Sequence, residues 1–180
     1  QMKNAYDGSW VGSFNHAMMG SPGRWFYTMF AGIAADRTAI SSGSTWSQLN
    51  VAPPRDPEFW QLMTSCAATQ HTAVGAISVS WLVQNATSSE YYYGMNVTIP
   101  VNTEATVSVP TVVKAEQVEI REGGSVIWSQ GRFTPSVDGV AEAIVGSDGL
   151  SVDFSVGSGV FSFGVSALQI VPVSFRRDES

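Results

Sequence analysis

Ile77-Ser78-Val79-Ser80-Trp81-Leu82-Val83 is the stretch on which the fold turns. Ile77, Val79, Trp81 and Val83 alternate with Ser78, Ser80 and Leu82, a period of two that gives an extended strand one apolar face. The same pattern recurs on the C-terminal side. Met95, Val97 and Ile99 alternate before Pro100, and Thr106 to Val109 alternate before Pro110. Val118 and Ile120 turn at Gly123-Gly124 into Val126-Ile127-Trp128, and Val140 to Val145 turn at Asp148-Gly149 into Val152, Phe154 and Val156. Phe161, Phe163 and Val165 close the series. Short strands separated by turn signals about every 8 to 12 residues predict a mainly β protein, an antiparallel jelly-roll-like β-sandwich. The sandwich is expected over residues 46–180, everything after residue 45 reading as strand and connection. Ser41 to Ser47 and Pro53-Pro54-Arg55-Asp56-Pro57 carry loop signals. The polar tail from Phe175 to Ser180 is expected to fray.

Residues 1–45 read differently, as one N-terminal α-helix with its approach. Phe14, Met18, Trp25, Met29 and Ile33 recur at helical steps and form an apolar stripe. Met19, Phe26, Tyr27 and Phe30 widen it into a belt, which marks a helix buried on several sides. Pro22 predicts a kink or break near Ser21.

Composition limits the partners. The chain has 180 residues, 44% hydrophobic and only 13% charged, enough for a core and unlike a disordered chain. A net charge of −6, with lysine only at Lys3 and Lys114, argues against nucleic-acid or anionic-membrane binding. No apolar run reaches the roughly 18 to 20 residues that span a bilayer. The chain begins at Gln1 without a signal-peptide pattern and is expected to be a mature, processed or truncated product. Cys66, the single cysteine, can form neither an intramolecular disulfide nor a metal site and reads as a buried free thiol. The sequons Asn85-Ala86-Thr87 and Asn96-Val97-Thr98 permit N-glycosylation at Asn85 and Asn96, and secretion is expected with them.

Four motifs occur in order along the chain: Asn15-His16 with Gly20 and the aromatic turn ending in Ala31-Gly32-Ile33; Val74 to Trp81; Val97 to Pro110; and Gly157 to Phe163. Together they resemble the bacterial-type α-L-rhamnosidases, glycoside hydrolase family 78. The first is similar to that family's last barrel helix, the second to its Gly-x-Ile-x-x-x-Trp strand, the third to its "IPxNTxAxVxxP" hairpin, and the fourth to the end of its C-terminal β domain. The resemblance covers roughly residues 8 to 165. It implies an antiparallel sandwich docked beside an (α/α)6 barrel.

Inverting glycosidases need two carboxyl groups about 6.5 to 9.5 Å apart across the scissile bond. The acidic residues here stand mostly in turns or on the polar phase of strands, and no pair is spaced to converge. The resemblance agrees, since both catalytic carboxylates of the family precede the Asn-His helix. It also places His16 in a sugar-binding subsite; the alternative for His16 is a helix-start histidine bonded to backbone or solvent. Asn15 is an N-cap candidate. His71 reads as a solvated histidine in a Gln-His-Thr turn, and two such distant histidines give no metal signal. No cofactor is expected.

Trp10, Tyr92 and Trp128 join His16 as candidate sugar contacts. Tyr91-Tyr92-Tyr93 puts rings on both faces of a strand, and Trp46, Trp60 and Trp128 sit near loops. Exposed rings can stack on sugars, or cover a missing domain. Three functions remain: a non-catalytic C-terminal piece of a rhamnosidase-like hydrolase, a free-standing lectin-like module for rhamnose-containing glycans, and an enzyme with an unrecognised site. The expected partners are carbohydrate, the missing catalytic barrel, or a second copy meeting the apolar helix.

Overall fold

A computed structural model describes residues 2–3, 10–11, 21–36, 46–84, 93–111 and 113–167. Two sheets form the expected sandwich. The chain order is β1 (Met2–Lys3), β2 (Trp10–Val11), α1 (Ser21–Phe26), a π-helical turn (Tyr27–Ala31), β3 (Ile33–Ala35), β4 (Gln48–Val51), α2 (Pro57–Leu62), β5 (Ser65–Thr72), β6 (Gly75–Val83), β7 (Tyr93–Ile99), β8 (Glu104–Pro110), a 3-10 turn (Ala115–Gln117), β9 (Val118–Glu122), β10 (Ser125–Ser129), β11 (Arg132–Phe133), β12 (Val140–Val145), β13 (Ser151–Val156) and β14 (Gly159–Ala167). The larger sheet has seven strands in the order β11-β10-β9-β14-β7-β6-β5; the smaller has five, β12-β13-β8-β4-β3. β1 and β2 pair with each other.

The alternation read from the sequence is what fills the space between the sheets. Ile77, Val79 and Trp81 on β6, Met95, Val97 and Ile99 on β7, and Phe161, Phe163 and Val165 on β14 are buried. They meet Val107 and Val109 on β8 and Val152, Phe154 and Val156 on β13. Phe154 of the smaller sheet stacks on Phe163 of the larger with ring centroids 5.4 Å apart. Side chains of alternate residues point to opposite faces, so most strands give their apolar set to the core, while Ile144 and Val145 of β12 stay exposed.

Several expectations need correction. The segment Val97–Pro110 is not a hairpin. β7 pairs with β6 and β14 in the larger sheet, whereas β8 pairs with β13 and β4 in the smaller, so the chain crosses the core at Pro100–Thr103. Asn102 makes that corner with φ +58°, a left-handed conformation Asn tolerates. The pairing is not wholly antiparallel either, because β4 and β8 run parallel. Strand pairing also begins ahead of residue 46, since Ile33 pairs opposite Val51. Ile33 therefore leaves the helical stripe. Gly32, at φ +78°, closes the π turn by donating its N–H to the Tyr27 carbonyl, and extended backbone follows.

The helix is described from Ser21, with Pro22 in its first turn, where a missing N–H costs no hydrogen bond. Phe14 and Met18 lie outside the described residues. Not everything after residue 45 is strand: α2 stands in the Pro-rich connection. Asp56 caps it by accepting the Glu58 N–H at 2.8 Å, and Pro57 occupies its first turn. Trp60 on α2 is buried rather than loop-exposed and donates its indole N–H to the Pro54 carbonyl at 3.0 Å.

Tyr93 holds the centre of this end of the core. Its ring stacks between Trp60 at 5.5 Å and Trp81 at 6.4 Å, and it has no solvent exposure. Its hydroxyl finds no hydrogen-bond partner among the described residues. Burial, and secondarily Cys66, push its pKa well above the ordinary tyrosine value. Leaving a buried hydroxyl unsatisfied costs about 1–3 kcal/mol, so Tyr93→Phe is expected to raise stability by about 1 kcal/mol in urea unfolding near pH 7. The pH dependence has a fixed sign. The unfolded phenol ionises near pH 10 while the folded one stays neutral, so the wild type loses stability as pH rises beyond about 10. The Tyr93→Phe protein should lose less over that range; equal losses would show that Tyr93 ionises as readily folded as unfolded.

Candidate functional site

Two surfaces of the described residues carry features beyond a plain sandwich. The first is the outer face of the seven-stranded sheet. Cross-strand register aligns Ser80, Asn96 and Ser162 in one row across β6, β7 and β14, and Leu82, Gly94, Gly164 and Arg121 in the next. These are the outward-facing partners of the core residues, and most of them are small. The result is an open depression of about 1020 Å³ with a floor of hydroxyls and glycines. A Cβ at Gly94 would meet nothing within 4 Å.

Arg121 is the cation at the edge of this groove. Its Nε donates to Glu119 Oε1 at 2.8 Å, its Nη2 lies 2.7 Å from the same oxygen, and its Nη1 donates to the Gly124 carbonyl at 3.0 Å. All three nitrogens are engaged, so the charge is compensated within the protein. Asn96 is exposed, with its amide nitrogen 3.4 Å from Ser80 Oγ. The groove offers hydroxyl and amide groups but no pair of facing carboxylates. Glu122, the buried acid among the described residues, accepts the backbone N–H of Ser162 at 3.2 Å. No cluster of three or more His, Cys, Asp or Glu gathers among the described residues.

The second surface is aromatic. Trp25, Phe26 and Met29 on α1 and the π turn are about half exposed. Trp25 packs edge-on against Phe30 at 4.9 Å and Phe26 at 5.4 Å, and Phe30 reaches Phe59 of α2 at 5.6 Å. Leu62, at the end of α2, is 87% exposed. The underside of the helix is tied to the sandwich, since Trp81 Nε1 donates to the Phe30 carbonyl at 2.8 Å and the Tyr27 hydroxyl donates to the Thr69 carbonyl at 3.3 Å. The helix is thus anchored on one side and bare on the other.

The sugar-contact candidates fare unevenly. His16, Tyr92 and the sequon residue Asn85 lie outside the described residues. Trp10 is in β2, opposite Lys3. Trp128 is a correction: it is 3% exposed and offers no face to a sugar. A register shift between Val126 and Trp128 turns two successive residues, Ile127 and Trp128, into the core. The indole N–H of Trp128 then donates to the Ala115 carbonyl at 2.8 Å. His71 sits in strand β5 rather than a turn and is exposed. Cys66 is half-buried, a free thiol whose pKa burial raises. Sequence reasoning missed the groove, which follows from strand order and is invisible to alternation alone. It also missed the share of α2 in the aromatic face, although Asp56-Pro57 is a legible helix start.

Residues 38–124 match the family described as bacterial alpha-L-rhamnosidase C-terminal domain. The fold is similar to that of the alpha-L-rhamnosidase from Dictyoglumus thermophilum, at 22% identity and TM-score 0.58, over 91% of this chain and 15% of that one. It is also similar to the Streptomyces avermitilis alpha-L-rhamnosidase complexed with L-rhamnose, at 27% identity and TM-score 0.51, over 89% of this chain and 12% of that one. The chain therefore spans under a sixth of the length of either enzyme. No curated protein matches the sequence. The resemblance to the C-terminal part of bacterial-type α-L-rhamnosidases is therefore borne out by the match of residues 38–124 to that family's C-terminal domain and by the fold shared with the two enzymes.

Proposed function

We infer that the chain is a non-catalytic, structural C-terminal part of an α-L-rhamnosidase-like glycoside hydrolase, and that its aromatic face seats against a catalytic barrel. The observation that carries this reading is the bare side of the anchored helix. Trp25, Phe26 and Met29 present exposed apolar surface that Phe30 continues to Phe59 of α2, and such patches mark interaction sites. The small share of the solved enzymes that the chain spans leaves room for that barrel as the mate. The lectin-like alternative loses two of its rings, because Trp60 and Trp128 are core residues.

A Trp25→Ser, Phe26→Ser, Met29→Ser triple variant tests the reading. The isolated wild-type chain should bind an apolar dye such as ANS or self-associate. The variant should lose both behaviours and stay folded, because half-exposed side chains contribute little to the core. A variant that unfolds instead would make this face part of the domain's own core and remove the docking surface.

A further inference from the structure

The groove on the outer face of the seven-stranded sheet poses a separate question, independent of the barrel-docking reading. At its centre stands Asn96 of the sequon Asn96-Val97-Thr98. Asn96 is exposed and Thr98, two residues on, lies on the same face. Its cross-strand neighbours are Ser80 and Ser162, and Gly94 precedes it on the same side. No bulky side chain therefore stands beside the amide. The first larger groups are Leu82, 44% exposed, and Val160, 74% exposed, diagonal to Asn96 on β6 and β14, with Arg121 beyond Gly164. Regular sheet surfaces usually carry long polar side chains, and here they are missing around one asparagine. The guanidinium that could attract a free anionic ligand is already held by Glu119 and Gly124.

We propose that Asn96 carries an N-linked glycan whose first sugars lie in this groove, so that the groove is the seat of the protein's own carbohydrate. In the transfer, the Asn96 amide nitrogen attacks C1 of the first N-acetylglucosamine of a lipid-linked oligosaccharide. The C1–O bond to the pyrophosphate breaks, the lipid pyrophosphate leaves, and the amide nitrogen gives up one proton. The remaining N–H can still donate to Ser80 Oγ, the contact it makes now. Around Asn96 the small residues Gly94, Ser162 and Gly164 leave room for a first sugar attached at Nδ2. The volume of about 1020 Å³ lies at the upper end of small-ligand clefts, which run about 300–1,000 Å³. A bulky, solubilising group at this position also covers a broad neutral sheet face.

The experiment secretes the whole chain from a yeast host behind a signal peptide, so that the transferase necessarily meets it. Peptide mass spectrometry after enzymatic deglycosylation in 18O water reads the site. The expected result is an 18O-labelled Asp at position 96, lost in Thr98→Ala, which keeps the asparagine but breaks the sequon. Release of the glycan by the same amidase should be several-fold slower from the folded chain than from the urea-unfolded chain. A secreted chain with unmodified Asn96 overturns the proposal. Equal release rates from folded and unfolded chains overturn the seating in the groove. Failure of the aromatic-face variant described above would leave either result unaffected, because its three positions lie on α1 and the π turn and none lines the groove.

Discussion

Phe154→Ala is expected to destabilise the sandwich by about 3–5 kcal/mol, the range for truncating a fully buried phenylalanine. Phe154 has no solvent exposure and is the ring through which the smaller sheet meets the larger. It stacks on Phe163 at 5.4 Å and meets Phe133 edge-on at 6.4 Å, while Val107 lies beside it on β8 through the β13–β8 pairing. Removal therefore opens a cavity between two sheets whose backbones are fixed by hydrogen-bonded ladders on either side, and such a site collapses poorly. For a domain of this size the loss corresponds to a fall in melting temperature of roughly 6–20 °C. A change below about 1 kcal/mol would mean that the sheets do not share the core described here.

Gly32→Ala should rank second, at about 3 kcal/mol, and for a different reason. Gly32 has φ +78°, where an L side chain is strained. Strain of this kind costs about 1–3 kcal/mol by itself. The added Cβ would also run into the backbone of Ala52 and Pro53. That backbone cannot easily retreat, because Ala52 donates its N–H to the Gly32 carbonyl at 2.9 Å and Ile33 pairs with Val51 one residue away. Gly123→Ala is the control. Its φ is +55°, but nothing lies within 4 Å of the added atom, so only the left-handed cost of about 1–2 kcal/mol applies. Chemical denaturation of both variants checks the ranking, and a Gly123 variant that loses as much as the Gly32 variant would remove the steric part of the argument.

The contrast between these sites shows what was legible in the sequence. Period-two alternation placed Val79, Val97, Phe154 and Phe163 in the core correctly, because side-chain direction along a strand is a local property. Alternation carries no information about which strand lies beside which. That is why Val97–Pro110 read as a hairpin although β7 and β8 belong to different sheets, and why the parallel β4–β8 pair was unforeseen. The groove around Asn96 has the same origin: Ser80, Ser162 and Gly164 become its neighbours only through strand order. Ile33 fell on the helical stripe because a four-residue step from Met29 is compatible with a helix, yet Gly32 had already ended the turn. Trp60 and Trp128 were misjudged as surface rings since both lie beside turn residues. A capped helix buries the first and a bulge turns the second inward, and each indole N–H finds a backbone carbonyl, which makes burial affordable.

The helix and the two sheets together describe a domain whose polar groups largely serve its own backbone. Glu122 holds the Ser162 N–H, Arg121 is held by Glu119, and Arg55, ahead of α2, bridges Asp148 in the β12–β13 turn at 2.7 Å. None of these groups is poised as an acid and base across a shared cleft. The proposed reading of the chain as a non-catalytic part of a rhamnosidase-like enzyme rests on the aromatic face and on the small share of the solved enzymes that the chain spans. The most direct measurement is incubation of the purified, folded chain with p-nitrophenyl α-L-rhamnopyranoside, following nitrophenol release. Each acid or base group contributes about 10²- to 10⁴-fold to such a reaction, so the account expects no release above the uncatalysed background. Sustained release by the folded chain, abolished by His16→Ala, would contradict it.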